Sequence, residues 1–262
     1  MHTQGDLLAV HDDQVRGSIE GRMPSTWTAE WDGPLLRVAT PAQGIAFARD
    51  LAGLSVPELD SLIHRLRDYF SKRGEAVEWK TYGHDRPDLP ARLRLAGFEP
   101  EETETVVIGN AAELATDAAP PHGVTIRKTT ARADFDRIAH MESEVWGKDW
   151  SWLADDLASR CETSPDDVVV LIAEADGKVI SAAWLVGMPG TEFSGLWGGS
   201  TLEQWRGKGI YRALVARRAQ IALGRGMKYL VVDASDDSSP ILQSLGFQKV
   251  TTTTPWVWSP RP

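Results

Sequence analysis

A short segment in the last third of the chain combines glycine with basic residues in a pattern that suits phosphate binding. Gly207 and Gly209 flank Lys208, and Arg206 precedes them. Glycine lets the backbone approach a ligand without a Cβ in the way and adopts turn conformations that other residues resist. The segment lies between a predicted strand and a predicted helix, where backbone N–H groups and the helix dipole favour an anion. With Arg212 adding charge, the loop is predicted to bind a pyrophosphate.

Other phosphate-binding and catalytic motifs do not fit the sequence. A dinucleotide fingerprint requires glycine at position 212, and a P-loop requires glycine at position 202 and Ser or Thr at position 209. The histidines are scattered singly, no Cys/His cluster has metal spacing, and no Gly-x-Ser-x-Gly elbow occurs. We therefore expect no metal.

The elements that must position this loop follow from the apolar periodicity of the second half. A helix is predicted where Phe135, Ile138, Met141 and Val145 recur at helical spacing. The other predicted helices cover residues 152–160, 210–223 and 240–245. Strands are predicted at 124–128, 168–174, 179–186, 195–202, 229–233 and 250–258. This order indicates an α/β fold, a mixed sheet with helices on its faces.

Residues 204–209 match the Gln/Arg-x-x-Gly-x-Gly/Ala acyl-CoA motif of the GNAT superfamily, the acyl-CoA-dependent N-acyltransferases. The element order and the Gly246-Phe247 pair near the end also resemble that family. The resemblance implies acetyl-CoA as co-substrate, its pantetheine arm paired with the backbone of residues 200–202 and its pyrophosphate on the loop amides. The implied cofactor-binding residues are Ser200, Thr201, Leu202, Gln204, Trp205, Arg206, Gly207, Lys208, Gly209, Ile210, Tyr211 and Arg212.

Proton handling is where the sequence departs from the family. Acyl transfer to an amine needs a free amine, a polarised thioester carbonyl and a route for protonating the departing thiolate. The resemblance implies a tyrosine for that last step, but its position holds Leu242, and the family's usual asparagine corresponds roughly to Asp236. A hydroxyl from Ser235 or Ser238, a water, or thiolate release without an acid all stay open.

Two carboxylates are candidates for the base. Glu192 lies in the turn before the predicted strand at 195–202, and Asp233 ends the following strand. Either can act through water, and for each the alternative is a solvated turn or a helix cap.

Tryptophan is concentrated between the first two helices of the second half. Trp146, Trp150 and Trp152 occupy a segment that in GNAT folds forms one wall of the acceptor cleft. Together with Trp197, they are predicted to bind the acceptor by stacking on an apolar or cationic group. Packing against the first half explains the three equally well.

The two halves of the chain repeat one order: helix, Arg-Gly, strand, short helix, Gly-Phe, strand. Asp32-Gly33 also echoes Asp176-Gly177. We therefore predict a tandem GNAT arrangement, with a degenerate GNAT-like domain at 1–118, a linker over 110–123 and a catalytic domain at 123–262. The first half reaches its helix through Gly53 without a glycine pair or a cation, so it is predicted to bind no CoA.

Composition limits the partners. The 262 residues carry a net charge of -9, which argues against nucleic acid as a partner. The start lacks a signal-peptide pattern, Cys161 has no partner for a disulfide, and no apolar run spans a bilayer. We expect a cytoplasmic protein without membrane contact, and a homodimer stays open.

These features predict an N-acetyltransferase that moves an acetyl group from acetyl-CoA to a primary amine of a small molecule or peptide, by direct attack in a ternary complex. An acyl-CoA-binding sensor or scaffold without turnover is the alternative, favoured by Leu242. Acylation of a hydroxyl is also open.

Overall fold

The computed structural model describes residues 3–17, 19–23, 27–40 and 42–260. They form two compact units. The first contains Met1–Val107, Asp233–Pro240 and Lys249–Pro262, and the second contains Ile108–Val232 and Ile241–Gln248. The predicted domains, 1–118 and 123–262, follow the chain linearly, whereas the first unit takes two segments from the end of the chain.

Helices and strands alternate along the chain. The helices are α1 (Gln4–His11), α2 (Val56–Arg73), α3 (Leu89–Leu95), α4 (Ala111–Leu114), α5 (Arg132–Trp146), α6 (Trp152–Thr163), α7 (Ile210–Gly224) and α8 (Ser239–Ser244). The strands are β1 (Thr28–Asp32), β2 (Leu35–Ala39), β3 (Gly44–Ala48), β4 (Val77–Tyr82), β5 (Glu99–Pro100), β6 (Glu104–Asn110), β7 (Thr125–Thr129), β8 (Val168–Ala175), β9 (Lys178–Gly187), β10 (Phe193–Thr201), β11 (Tyr229–Ala234) and β12 (Gln248–Trp258).

The first unit is built on a sheet in the order β1, β2, β3, β4, β12, with β5 also paired to β12. β3 and β4 run parallel and are connected by α2, while the other pairs are antiparallel. The amphipathic helix α2 covers this sheet with one apolar face, which includes Leu59, Leu66 and the fully buried Phe70. Trp79 of β4 is fully buried in the same core.

The second unit has the sheet order β11, β10, β9, β8, β7. β10 and β11 run parallel, which requires the crossover helix α7, and the remaining pairs are antiparallel. β8 is buried along nearly its whole length, because α6 packs on it and β7 and β9 flank it. The β8–β9 hairpin turns at Asp176 and Gly177, both of which have positive φ.

The internal repeat is present in the structure. A hairpin, a third strand, a long helix, a parallel strand and a short helix follow one another in both units, as β1–α3 and as β8–α8. The Gly-Phe pairs follow the two short helices, and the phenylalanines Phe98 and Phe247 are buried. Both glycines, Gly97 and Gly246, have positive φ, which explains why glycine recurs there.

The predicted linker over 110–123 is partly wrong. Its beginning is structured, because Asn110 ends β6 and accepts a hydrogen bond from the Ala112 amide at 2.9 Å, which starts α4. Ala111 and Leu114 are buried, and α4 packs on α7. The small residues of this stretch allow close packing, which the composition alone did not distinguish from a flexible connection.

In the described part of the chain, no helix is long and apolar enough to cross a membrane.

Candidate functional site

The loop between β10 and α7 forms an open backbone cradle. Gly207 and Gly209 have φ values of 71° and 84°, in the left-handed region that favours glycine. A Cβ built at either position meets nothing within 4 Å. Gly209 is the N-cap of α7, no side chain caps that helix, and its first turn contains no acidic residue. The helix N-terminus is therefore open toward an anion.

Three exposed cations surround this cradle. The Arg206 Nε donates to the Thr201 carbonyl at 3.0 Å, and the Lys208 Nζ lies 4.7 Å from the ring centroid of Trp205. Arg212 follows in the first turn of α7. Within the described residues, none of the three forms a salt bridge with a carboxylate. Their charge is uncompensated and adds to the helix dipole.

β10 is irregular just before the loop. Its pairing with β9 shifts register between Gly198 and Ser200, which leaves Gly199 as a bulge with φ of 95°. The Ser200 carbonyl accepts a hydrogen bond from Ser181 Oγ at 2.6 Å, and the Leu202 amide donates to the Ile180 carbonyl at 3.0 Å. Part of the segment predicted to pair with pantetheine is thus already hydrogen-bonded to β9.

The equivalent helix start in the first unit is closed. At the N-terminus of α2, the Ser55 amide and hydroxyl both donate to the Glu58 carboxylate, at 2.7 Å and 2.6 Å. Pro57 lies in the first turn and has no N–H to offer. This helix start satisfies its own donors and carries a negative charge, so it disfavours phosphate.

We therefore expect one acetyl-CoA site per chain. Titration calorimetry of the intact protein should give a stoichiometry of one, because the start of α7 is uncapped and has cations around it, whereas the equivalent start of α2 is closed by Glu58. In a Gly207→Asp variant no second, weaker site should appear. Two equivalent sites per chain would contradict the assignment of the first unit as degenerate.

The tryptophans predicted to bind the acceptor form a cluster on the α5–α6 connection. Trp146 and Trp150 have ring centroids 6.4 Å apart, and Trp150 stacks on Trp152 at 5.2 Å. The side chains of Trp146 and Trp152 are 57% and 54% exposed, so much of this aromatic surface faces solvent. The Lys148 Nζ lies 5.3 Å from the Trp150 ring, which places a cation against the cluster. Trp197, on β10, is also exposed.

Glu142 is a buried carboxylate beside the tryptophan cluster, and the sequence analysis did not name it as a candidate. It lies on α5 and is 2% exposed; its Oε2 accepts a hydrogen bond from the Trp146 indole at 2.9 Å. Its Oε1 is buried without a hydrogen-bond partner. Burial raises the pKa of this carboxyl, and hydrogen bonding by Ser200 and Trp146 offsets part of that rise. The available signal was its spacing, seven residues after Phe135 on the apolar face of the helix.

Glu192, a predicted base, lies at the other end of β10 from the loop. The nine-residue strand between them spans roughly 30 Å of extended chain. The Glu192 carboxylate forms an ion pair with Lys228 at 3.6 Å, and both side chains are nearly half exposed. The structure thus does not bring Glu192 and the glycine loop together.

Asp233 and Ser235 lie in the first unit. Asp233 pairs with the Lys80 Nζ at 2.5 Å. Burial alone would lower the pKa of Lys80, but the charge of Asp233 raises it well above its usual range. The Ser235 Oγ lies 3.2 Å from the Ser238 Oγ, and its carbonyl accepts the Ser239 amide at the start of α8. In the first unit these residues therefore act as an ion-pair partner and a helix start.

Replacing Lys80 with methionine should destabilise the first unit by about 2–3 kcal/mol. A fully buried pair that loses one partner costs ~3–5 kcal/mol, and here the side chains are 21% and 28% exposed. Burial already raises the pKa values of Glu78 and Glu104, and Lys80 lowers both. Denaturant unfolding measures the loss.

The loss of stability caused by Lys80→Met should increase with pH. A carboxyl whose folded pKa is raised stabilises the fold below its unfolded pKa, and this contribution is lost as pH rises through the folded pKa. Without Lys80 the rise is larger, so Lys80→Met should cost more at pH 8 than at pH 5. Lys228→Met, which removes an exposed pair, is the control and should change the stability little at either pH. Equal losses in the two variants would contradict the assignment.

The second half of the chain matches a known protein family. Residues 135–247 match the family model described as Acetyltransferase (GNAT) family. Residues 135–247 form a GNAT domain. No curated protein matches the sequence significantly.

Solved structures resemble the whole chain at low identity. A GCN5-related N-acetyltransferase from Kribbella flavida has a TM-score of 0.73 and 16% identity, covering 100% of this chain and 97% of its own. One from Sphaerobacter thermophilus has a TM-score of 0.62 and 14% identity, covering 100% and 95%. A tandem GNAT protein from the clavulanic acid biosynthesis pathway has a TM-score of 0.60 and 13% identity, covering 92% and 85%.

The fold is therefore the tandem GNAT arrangement that the sequence predicted, and its first half is degenerate at the helix start where the GNAT domain has its glycine loop. The family match supports acyl transfer in general.

Proposed function

We propose that the GNAT domain transfers an acetyl group from acetyl-CoA to a primary amine of a small molecule or peptide, by direct attack in a ternary complex. The observation that carries this proposal is the uncapped start of α7, with two left-handed glycines and three cations that no carboxylate neutralises among the described residues. A cytoplasmic location, without nucleic acid or membrane as partner, belongs to the same proposal.

The loop fits the pyrophosphate of acetyl-CoA. Backbone amides at Gly207 and Gly209 and in the first turn of α7 would hold the phosphate oxygens, and Arg206, Lys208 and Arg212 would balance their charge. Ile210 is buried, so it contributes its amide while its side chain anchors the helix start. When bound, acetyl-CoA supplies the activated acetyl group, and the residues of this chain position it.

The tryptophan cluster is the proposed acceptor surface. A primary amine carries a positive charge at neutral pH until it gives up a proton, and an exposed indole face attracts such a cation. The Trp146 indole donates a hydrogen bond to Glu142, which places a buried carboxyl next to the aromatic surface. We propose that Glu142 takes the proton of the amine, with the Ser200 hydroxyl as the neighbouring polar group that lowers the pKa of that carboxyl.

Glu192, Asp233 and Ser235 stay predictions for proton transfer. Asp233 is a weak candidate because its carboxylate is already ion-paired with Lys80 in the first unit. Leu242 is fully buried and has a hydrocarbon side chain, so its position offers no group that could protonate the thiolate. A water or unassisted release of the thiolate completes the proposed reaction.

The direct test is CoA release from acetyl-CoA with a panel of small and peptide amines, each run with a hydroxyl analogue. Release that depends on the amine supports the proposal. Tight acetyl-CoA binding without release for any amine would instead support the alternative of a sensor or scaffold. Release with the hydroxyl analogue alone would indicate O-acylation.

A further inference from the structure

Arg218 is a buried cation without a carboxylate beside it. It lies on α7 and is 1% exposed. Burial lowers the pKa of its guanidinium to about 10, so the group stays charged at neutral pH. Within the described part of the chain, Tyr211 is the one ionisable group whose interactions affect this pKa, and it raises it. Burying such a charge without a carboxylate partner is unfavourable, so the position calls for an explanation beyond packing.

The guanidinium is directed at the bulged part of β10. Its Nη1 donates to the Trp197 carbonyl at 3.2 Å and lies 3.5 Å from the Trp184 carbonyl. Trp184 and Trp197 are direct partners across β9 and β10, one residue pair before the register shift that follows Gly198. The Nε donates to Leu214 in its own helix, and the Nη2 is buried without a partner.

Tyr211 lies two turns before Arg218 on α7 and packs on the same stretch of β10. A Cβ added at Gly199 would lie 2.7 Å from the Tyr211 ring, so the ring packs directly on this glycine. Tyr211 and Arg218 therefore hold residues 197–199 from the α7 side. Gly198, between them, is exposed.

This arrangement changes the chemistry of one peptide group. In a trans peptide the N–H of Gly198 points away from the carbonyl oxygen of Trp197. A guanidinium bound to that oxygen polarises the peptide, which makes the N–H a stronger hydrogen-bond donor, especially in a low-dielectric interior. Fixed donors of this kind stabilise negative charge that develops on a carbonyl oxygen during acyl transfer.

We propose that Arg218 is a positioning residue for acetyl transfer, which fixes and polarises the Trp197–Gly198 peptide so that the Gly198 N–H binds the thioester carbonyl oxygen. This inference rests on the proposed function. Negative charge gathers on that oxygen while the amine nitrogen forms its bond to the carbonyl carbon and loses a proton to the base. The oxygen then re-forms its double bond to the carbonyl carbon, the carbon–sulfur bond breaks, and CoA leaves with the negative charge as the thiolate.

The test uses acetyl-CoA labelled with ¹³C at the carbonyl, the infrared spectrum of its bound form, and steady-state kinetics. Bound to the unchanged protein, the carbonyl band should shift to lower frequency than in solution. Arg218→Met should lose most of that shift and lower kcat about 10–10²-fold, with the dissociation constant of acetyl-CoA within about threefold. Arg218→Lys, which keeps the charge, should fall between the two and carries the test if the methionine variant does not fold.

Arg217→Met is the matched control, because Arg217 is the exposed neighbour on the same helix and bonds only to Gln220 among its described contacts. It should change neither the band nor kcat. A full shift in the Arg218 variants, with or without a loss of kcat, would overturn the polarising role. If the unchanged protein binds no acetyl-CoA, the proposed function itself fails; if it binds and turns over acetyl-CoA with an unshifted band, only this inference fails.

Discussion

Gly207→Asp is expected to abolish acetyl-CoA binding while the protein stays folded. The substitution puts a side chain and a negative charge into a cradle where a Cβ has no neighbour within 4 Å, at the proposed position of the pyrophosphate. Turning one charge-assisted contact into a repulsive one costs at least ~2 kcal/mol, or about 30-fold in the dissociation constant. Titration calorimetry measures the affinity, and circular dichroism shows whether the fold is kept.

Backbone strain has to be separated from charge in that experiment. Gly207 has a φ of 71°, so any L-residue there is strained, and the strain alone costs ~1–3 kcal/mol of stability. Gly226→Asp is the control, because Gly226 has a φ of 78°, follows the other end of α7 and also has open space around its Cβ. It should unfold as easily as Gly207→Asp and bind acetyl-CoA normally. Unchanged affinity in Gly207→Asp would remove the cofactor assignment.

The sequence predicted most of the elements of the GNAT domain because their signals are local. The apolar spacing of α5, the hairpin turn at Asp176 and Gly177, and the glycine loop before α7 each depend on neighbours in the chain. The position of β12 was not readable in this way. It belongs mostly to the first unit and pairs with β4, more than 170 residues earlier in the chain, as in the pair Trp79 and Trp256. Nothing in a short window of sequence specifies a partner at that distance.

The cofactor loop was predicted from its residues, whereas Glu142 and Arg218 were not. A loop of glycines and cations between a strand and a helix favours phosphate binding in any fold, so it can be recognised from the sequence. A charged residue in a helix, in contrast, normally faces solvent, and only the packing of α5 and α7 on the sheet shows that these two are buried. Glu192 was chosen because it lies in the turn before a strand and Asp233 because it ends the following strand, and the structure gives each of them a lysine partner.

Glu142→Gln is expected to lower turnover by about 10²-fold or more with little change in acetyl-CoA affinity, if this carboxyl takes the proton of the amine. The amide keeps the shape of the side chain and can still accept the Trp146 hydrogen bond, but it cannot act as a base. Glu144→Gln is the matched control, because Glu144 is exposed on the same helix and should leave turnover unchanged. Glu192→Gln tests the competing assignment with the same assay.

The pH dependence separates catalysis from structure at this position. Burial raises the pKa of Glu142, so its base form appears only at higher pH than for an ordinary glutamate, and turnover should rise through that ionisation and then stay level. The glutamine variant should lose the rise. Because this pKa is raised in the folded protein, the contribution of the Glu142 carboxyl to stability is fully present below its pKa in the unfolded chain. That contribution is lost as pH rises through its pKa in the folded protein. Removing the charge should therefore leave the protein as stable at pH 8, or more so, while activity falls. A parallel loss of stability and activity, or a decrease in turnover for Glu192→Gln alone, would move the base away from Glu142.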